Sequence, residues 1–200
     1  MDVIYHPAHI FMVNEGVSYI SKPTGFSPED DVFRKLLIKN HIGGTPMVVV
    51  KKAALLNVGL FDEALQSLQD YELWLRLAKN NQSFHFLNSV LTRCQYITKK
   101  KSISKSLKVN RESVKFIEKK YADDYRSLLN NNDKKLHRAW VYDMQIHKSY
   151  LNKNYWRPVL LNLKALHELK MPKYLYGTFI SFLGAKNVFK LRALISKPKS

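Results

Sequence analysis

Asp70 is the side chain in this sequence that is best placed for acid–base chemistry. It lies near the start of residues 69–79, which are rich in Leu, Glu, Arg and Ala and lack Gly and Pro, so that a helix is predicted. A rotation of about 100° per residue places Asp70 on the apolar side of this helix, beside Leu73 and Trp74. A carboxylate there should be partly desolvated, which raises its pKa and makes it a better general base.

A structural role for Asp70 is the alternative. Ser67 and Asp70 have the spacing of a capping box, in which Asp70 would only satisfy an amide in the first turn of the helix. First-turn Asp residues are common, so physical arguments alone favour the capping role. The remaining polar side chains of the helix share one arc on the other side, formed by Gln69, Glu72, Arg76 and Lys79.

The sequence around Asp70 carries a longer pattern. Gly-Leu-Phe-Asp-Glu at 59–63 is followed by Asp-Tyr-Glu-Leu-Trp-Leu-Arg-Leu-Ala at 70–78. Together they resemble the acceptor-side half of family 2 glycosyltransferases, which have the GT-A fold, and the resemblance covers roughly 42–104. In that family an acidic pair opens the Leu-Trp-Leu-Arg helix and its second acid is the catalytic base. The second acid corresponds to Asp70, whereas the first is replaced by Gln69.

The resemblance also implies where an acceptor would bind. Thr45 lies in a Gly-Gly-Thr-Pro loop that the family places under the acceptor site, although a plain turn explains the loop equally well. The two acids that follow Phe61 would help to position the acceptor region. The acceptor-binding residues predicted in this way are Thr45, Asp62, Glu63, Trp74 and Arg76.

The implied reaction is an inverting transfer from a nucleotide-sugar donor to a sugar or lipid-linked acceptor, in cell-surface polysaccharide or glycolipid synthesis. Asp70 would deprotonate an acceptor hydroxyl, which attacks the anomeric carbon as a nucleoside diphosphate leaves. The nucleotide-binding strands and the metal-binding Asp-x-Asp loop of the family are not recognised in this sequence. We therefore expect a truncated enzyme or one with a separate N-terminal half, and no turnover by this chain alone.

A divalent metal, Mg²⁺ or Mn²⁺, is expected for the complete enzyme, but its ligands are not identifiable in this chain. Asp30 and Asp31 are adjacent acids, yet they follow Ser27-Pro28 in a predicted helix start, where the helix dipole accounts for them. Family members often carry a His near position 99, where this chain has Lys99. No residue is therefore predicted to bind metal.

The predicted fold class is α+β. A partial GT-A α/β unit of short strands and helices spans 1–103, and an all-α basic helical tail spans 104–200. The first strand, 2–5, is expected to form a two-stranded ribbon with 17–20. Further strands are predicted at 47–50, 83–87 and 90–96. Helices in the tail are predicted from Ser104 to about 129, and at about 134–151, 156–169 and 173–196.

Charge divides the chain unevenly. Residues 1–95 contain nine basic and nine acidic side chains, so the whole net charge of +17 lies in 96–200. The aromatic segment 174–183 with its basic neighbours suits a helix in the interface of an anionic membrane, although packing into a helix bundle uses the same residues. A non-catalytic basic helical module that binds a membrane surface or nucleic acid is thus the alternative function.

Nucleic acid is the less favoured partner of that module, because no known nucleic-acid-binding module is recognised and Lys outnumbers Arg. The one cysteine, Cys94, excludes an internal disulfide framework. Neither a signal peptide nor a run of about 18 apolar residues is found. We therefore expect a cytoplasmic protein that is peripheral at the inner membrane face.

Overall fold

The computed structural model describes residues 1–97, 106–152, 154 and 156–195 of the 200-residue chain. Within these ranges helices and short strands are mixed, which confirms the predicted α+β class. The strands are β1 (Val3–Tyr5), β2 (Ala8–Met12), β3 (Val17–Ile20), β4 (Val48–Val50), β5 (Phe84–Phe86) and β6 (Thr92–Tyr96). The helices are α1 (Val32–Ile38), α2 (Lys52–Asn57), α3 (Gln69–Lys79), α4 (Leu107–Lys120), α5 (Ala122–Leu128), α6 (Asn131–Leu151), α7 (Trp156–Leu169), α8 (Pro172–Ser181) and α9 (Gly184–Ile195), and a 3-10 turn, Thr45–Met47, precedes β4.

The described strands form two three-stranded sheets with the same plan. In the first sheet β1 is central, with β4 antiparallel on one side and β5 parallel on the other. In the second sheet β2 is central, with β3 antiparallel and β6 parallel. β1 continues into β2 through His6 and Pro7, so one chain segment forms the central strand of both sheets. β5 is likewise followed by β6, so a second segment forms the parallel neighbour of the central strand in both sheets.

The predicted ribbon between the first strand and Val17–Ile20 is wrong. β1 pairs with β4 and β5, whereas β3 pairs with β2, a strand that was not predicted from the sequence. In β2 the buried side chains of Ala8, Ile10 and Met12 alternate with half-buried ones. This alternation allows one side of β2 to pack on the core while both edges of the strand are hydrogen-bonded to neighbours. The polar His9 in the middle of the segment interrupts the apolar pattern, so the sequence does not predict this strand.

The sequence predicts a helix start at 27–30, whereas the first helix, α1, begins at Val32. Asp31 caps α1, and its carboxylate accepts a hydrogen bond of 2.9 Å from the backbone N–H of Arg34. The carboxylate of Asp30 instead accepts a hydrogen bond of 2.8 Å from the backbone N–H of Ser27. Both acids are therefore occupied by local contacts at the start of α1.

The core consists of two clusters of buried side chains. One packs β1, α1 and α3 against α4 and α5, and the other packs β2 against α6, α7, α8 and α9. Both clusters combine residues from before and after the basic segment that follows β6, so the change in net charge does not divide the hydrophobic core. The predicted boundary between 1–103 and 104–200 itself lies outside the described residues.

Among the C-terminal helices, α6 and α7 lie at the expected positions, whereas the segment predicted as one helix at 173–196 forms two helices, α8 and α9. Ser104, the predicted cap of the first tail helix, lies outside the described residues. α4 is capped by Ser106, whose hydroxyl accepts a hydrogen bond from the backbone N–H of Val109, and Tyr121 separates α4 from α5 where one helix was expected. None of the described helices is both long and apolar enough to cross a bilayer.

Candidate active site

The start of α3 determines where the Asp70 carboxylate lies. Leu68, just before the helix, has φ of +62°, a left-handed conformation that costs a non-glycine residue about 1 kcal/mol. Ser67 is buried, but α3 has no side-chain capping hydrogen bond, so the predicted capping box does not form. Asp70 nevertheless satisfies one amide of the first turn, because Oδ1 accepts a hydrogen bond of 2.8 Å from the backbone N–H of Tyr71, as the structural role requires.

The loop before β4 lies directly on Asp70. The backbone of Thr45 is close enough to the Asp70 carboxylate to lower its pKa. A Cβ atom at Gly44 would be 3.2 Å from Oδ2 of Asp70, so the absence of a side chain allows this close approach. The indole N–H of Trp74, one turn further along α3, donates a 3.0 Å hydrogen bond to the carbonyl oxygen of Gly43. α3 thus holds both the carboxylate and the loop above it.

Burial raises the pKa of Asp70 above its usual value of 3.8. Backbone hydrogen bonds, including those from Tyr71 and Thr45, lower the pKa in turn, as does the positive charge of Lys148, but desolvation is the largest effect. Asp70 as a residue is half-buried, between the core and the surface. A carboxylate whose pKa is raised is a stronger base, which is one of the properties that a general base needs.

Lys148 on α6 and Tyr96 at the end of β6 complete the surroundings of Asp70, and neither was predicted as a site residue. Lys148 is buried, and its pKa is lowered by burial and raised by the negative charge of Asp70. The pKa of Tyr96 is raised by burial, by Cys94 and by Asp70. No periodic pattern in the sequence predicts these interactions, because they join segments that are distant along the chain.

A hydrogen bond between the loop and β6 fixes the position of this side of the site. The hydroxyl of Thr92 donates a hydrogen bond of 2.9 Å to the carbonyl oxygen of Pro46. Pro46 follows Thr45 in the loop, and Thr92 begins the strand that ends at Tyr96. The loop is therefore attached to α3 through Trp74 and to the second sheet through Thr92.

The other side of α3 carries a buried ion-pair network. Glu72 is fully buried, and its carboxylate oxygens lie 2.8 Å from Nε of Arg76 and 2.8 Å from Nζ of Lys120. Lys120 also pairs with Asp62 at 2.8 Å. Arg76 donates two further hydrogen bonds to backbone carbonyl oxygens in the turn 58–60. These contacts fasten α2 and α4 to α3.

The predicted acceptor-binding residues therefore divide into two groups. Thr45 and Trp74 belong to the surroundings of Asp70. The backbone of Thr45 lies near the carboxylate, and Trp74 is hydrogen-bonded to Gly43 in the same loop. The others lie away from the Asp70 carboxylate: Asp62 and Arg76 in the ion-pair network, and Glu63 exposed next to Asp62.

The described residues provide no ligand set for a metal. Among them no three His, Cys, Asp or Glu side chains come together as a metal-binding group. Lys99, which occupies the position where the family often has a His, lies outside the described residues. The described residues around Asp70 do not fit a metal site.

Comparison with known proteins finds a similar protein whose name indicates an enzyme. The chain is 34% identical over 122 residues to a protein of Haemophilus influenzae (strain ATCC 51907 / DSM 11121 / KW20 / Rd) that is described as an uncharacterized glycosyltransferase. The matched region is 60% of this chain and 41% of the relative, so the chain corresponds to less than half of that protein. No family model matches the chain, and no solved structure is significantly similar to it.

Proposed function

We propose that this chain forms the acceptor-side half of an inverting, nucleotide-sugar-dependent glycosyltransferase, with Asp70 as the general base. The observation that supports the proposal most directly is the partly buried carboxylate of Asp70, whose pKa is raised by burial and which faces a Gly-Gly-Thr loop. The similarity to the Haemophilus influenzae protein supports the same class of reaction.

The proposed step transfers one proton and one glycosyl group. An acceptor hydroxyl donates its proton to a carboxylate oxygen of Asp70, and the resulting oxygen nucleophile attacks the anomeric carbon. The bond from that carbon to the diphosphate oxygen breaks, the nucleoside diphosphate leaves, and the configuration inverts because attack occurs opposite the leaving group. Burial makes Asp70 a stronger base, and general-base catalysis of this kind contributes roughly 10²–10⁴-fold to a rate.

Lys148 has a defined role in this proposal. A buried carboxylate tends to be protonated, and a protonated Asp70 could not accept a proton. The positive charge of Lys148 lowers the pKa of Asp70 and so opposes the effect of burial. Lys148 therefore favours the ionised form of Asp70, which is the form that can accept a proton.

The other parts of the enzyme complete the proposal. The two small sheets and α3 would be part of a GT-A unit whose nucleotide-binding half is supplied by other residues, together with the Mg²⁺ or Mn²⁺ that binds the diphosphate of the donor. A sugar or lipid-linked acceptor would enter beside Thr45 and Trp74. Polysaccharide or glycolipid synthesis at the cell surface is the process in which such an acceptor would be used.

The test replaces Asp70 by Asn. Release of nucleoside diphosphate from a set of nucleotide sugars is measured for this chain, alone and combined with a donor-binding half. We expect no turnover by the chain alone, and a loss of at least about 100-fold in the combined enzyme on Asp70→Asn. Asp62→Asn is the matched control, because Asp62 pairs with Lys120 on the other side of α3 and should leave the rate within about twofold.

Two results would contradict the proposal. Sugar transfer by the chain alone would show that no separate donor half is required. An Asp70→Asn enzyme with a rate proportional to its folded fraction would show that Asp70 is a structural residue. The second result would favour the alternative function, a non-catalytic basic module derived from such an enzyme.

A further inference from the structure

α7 exposes a stripe of large apolar side chains. Trp156, Leu160 and Leu163 are 70%, 64% and 46% exposed, and their spacing of four and three residues places them on one side of the helix. The opposite side of α7 is buried in the core, with Ala165 and Leu169 among its residues. The stripe is therefore not required for packing within the described part of the chain.

α8 exposes a second stripe with the same spacing. Leu175, Phe179 and Phe182, the last at the end of the helix, are 44%, 66% and 62% exposed. The side chains of Tyr174 and Thr178, which point the other way, are buried. α8 thus also packs through one side and exposes apolar residues on the other.

The two stripes lie next to each other. The rings of Trp156 and Phe182 are in edge-on contact, with their centroids 6.2 Å apart. Further along the pair, a Cβ atom at Gly177 would lie 2.3 Å from Oδ1 of Asn162, so that the two helices approach very closely there. These contacts define an antiparallel register that places Leu160 opposite Phe179.

The same register brings Leu163 opposite Leu175. The contact between Trp156 and Phe182 joins the two stripes at one end, and we name the six side chains the α7–α8 apolar face. Its members are Trp156, Leu160, Leu163, Leu175, Phe179 and Phe182. Monomeric proteins seldom expose so many large apolar side chains together unless the surface binds a partner or a membrane.

The part of the sequence that contains α7 and α8 is strongly basic. Residues 151–200 contain ten Lys and Arg and a single acidic residue, Glu168. On α7, Lys164 is adjacent in sequence to Leu163; its side chain is 65% exposed and lies 3.7 Å from the carboxylate of Glu168, a surface pair that contributes little energy. Arg157 follows Trp156, and Lys170 follows the last residue of α7. Apolar and aromatic side chains bordered by basic ones are the combination that binds the interface of an anionic bilayer.

We propose that the α7–α8 apolar face docks on an anionic membrane surface. The two helices lie parallel to the bilayer plane, with Trp156, Phe179 and Phe182 inserted at the level of the headgroups and Arg157 and Lys164 beside lipid phosphates. Charge argues against a second copy of the chain as the occupant, because each copy carries a net charge of +17 and two basic surroundings would repel each other. The proposal does not depend on the transferase reaction.

Binding to lipid vesicles tests the proposal. The full chain is sedimented with vesicles of phosphatidylcholine alone or with phosphatidylglycerol added. We expect binding to the anionic vesicles that weakens as salt is raised, because part of the attraction is electrostatic. The variant Trp156→Ser/Phe179→Ser/Phe182→Ser should lose about tenfold or more in partition coefficient, since its apolar contribution is removed.

A matched control separates this surface from general stickiness. Val49→Ser/Leu91→Ser changes two apolar residues that are equally exposed, at 63% and 64%, but lie outside the α7–α8 apolar face. It should bind vesicles as the unchanged chain does. All of these side chains are exposed, so the variants should fold, which thermal unfolding checks.

Fluorescence provides a second, independent measurement. Trp156 is exposed, whereas Trp74 is buried and Trp140 is partly buried against the first core cluster. Quenching by brominated lipid should therefore report mainly on Trp156 and fall in Trp156→Phe. No binding to anionic vesicles, or equal binding by the triple variant, would overturn the proposal. A concentration-dependent dimer in sedimentation velocity that the triple variant abolishes, without vesicle binding, would identify a second copy as the occupant and overturn it too.

Discussion

Asp70 on α3 and Lys148 on α6 partly offset the cost of each other's burial. Burial raises the pKa of Asp70 and lowers that of Lys148, and the charge of each residue shifts the pKa of the other back toward its usual value. α6 belongs to the part of the chain that holds the excess positive charge. The helical tail therefore contributes directly to the electrostatics of the candidate active site.

Replacing Lys148 by Met tests this relationship. The change removes the positive charge and keeps an unbranched side chain, so the pKa of Asp70 should rise further. In the combined enzyme the acidic limb of the pH–rate profile should move to higher pH, and carboxyl NMR of the chain alone should show the same direction. Lys170→Met, at the exposed end of α7, is the control. It should change neither the pH–rate profile nor the titration of Asp70. An unchanged titration of Asp70 in Lys148→Met would contradict the relationship.

The pH dependence of stability should show the cost of burying Asp70. The pKa of Asp70 is 3.8 in an unstructured chain and higher in the folded protein, so the folded state binds more protons between these two values. The free energy of unfolding attributable to Asp70 therefore falls as pH rises through this range, and the cost is fully present above the folded pKa.

Asp70→Asn removes that cost because Asn is uncharged at every pH. Relative to the unchanged chain, the variant should gain stability as pH rises from 3.8 toward 7, superimposed on a loss that arises because buried Lys148 no longer has a carboxylate near it. Urea denaturation at several pH values between 4 and 8 measures the difference. The quantity compared is the free energy of unfolding of the variant minus that of the unchanged chain. If this difference were lower at pH 7 than at pH 4, burial would not raise the pKa of Asp70.

The Glu72 network should contribute to stability and not to the pKa of Asp70. Glu72→Gln leaves Arg76 and Lys120 without their buried carboxylate, and breaking a buried ion pair in this way costs about 3 kcal/mol. Glu112→Gln is the control, since Glu112 is 61% exposed and lies 4.0 Å from Lys108. The free energy of unfolding of Glu112→Gln, measured by urea denaturation, should be within about 0.5 kcal/mol of that of the unchanged chain. Equal effects of the two changes would show that burial of Glu72 has no energetic consequence.

Gly177→Ala tests the close packing of α7 on α8. Alanine is a better helix former than glycine by about 1 kcal/mol, so the change would stabilise an isolated helix. In this fold the added Cβ would lie 2.3 Å from Oδ1 of Asn162, and we expect a net loss of about 1–3 kcal/mol instead. Thermal unfolding measures the sign. A stabilised variant would mean that α7 and α8 are further apart than described, and the α7–α8 apolar face would then be divided.

Local patterns predicted the elements that lie within one stretch of chain. The positions of α3, α6 and α7 follow from helix propensity and periodicity, and the apolar side of α3 placed Asp70 among buried neighbours. Pairing between strands did not follow from local pattern. β1 and β3 were assigned to each other because they are close in sequence, whereas each pairs with other partners.

Capping was the second kind of feature that spacing alone did not determine. Ser67 and Asp70 have the right spacing for a capping box, and Ser27 has the right neighbours for a helix start. In the structure Leu68 adopts a left-handed conformation before α3, and Asp31 caps α1. Several residues could satisfy the same amides, and the choice among them depends on how the preceding loop packs.

By itself, the sequence determined the α+β class, the apolar surroundings of Asp70 and the concentration of positive charge in the second half of the chain. These depend on residue type and on spacing within one helix or segment. Only the tertiary structure decided that Lys148, Tyr96 and the backbone of Thr45 meet at Asp70, that Asp62 and Arg76 lie elsewhere, and that α7 and α8 combine their exposed stripes. The physical reason is that burial, charge–charge interaction and helix register depend on distances through space, which side chains far apart in sequence acquire only when the core packs.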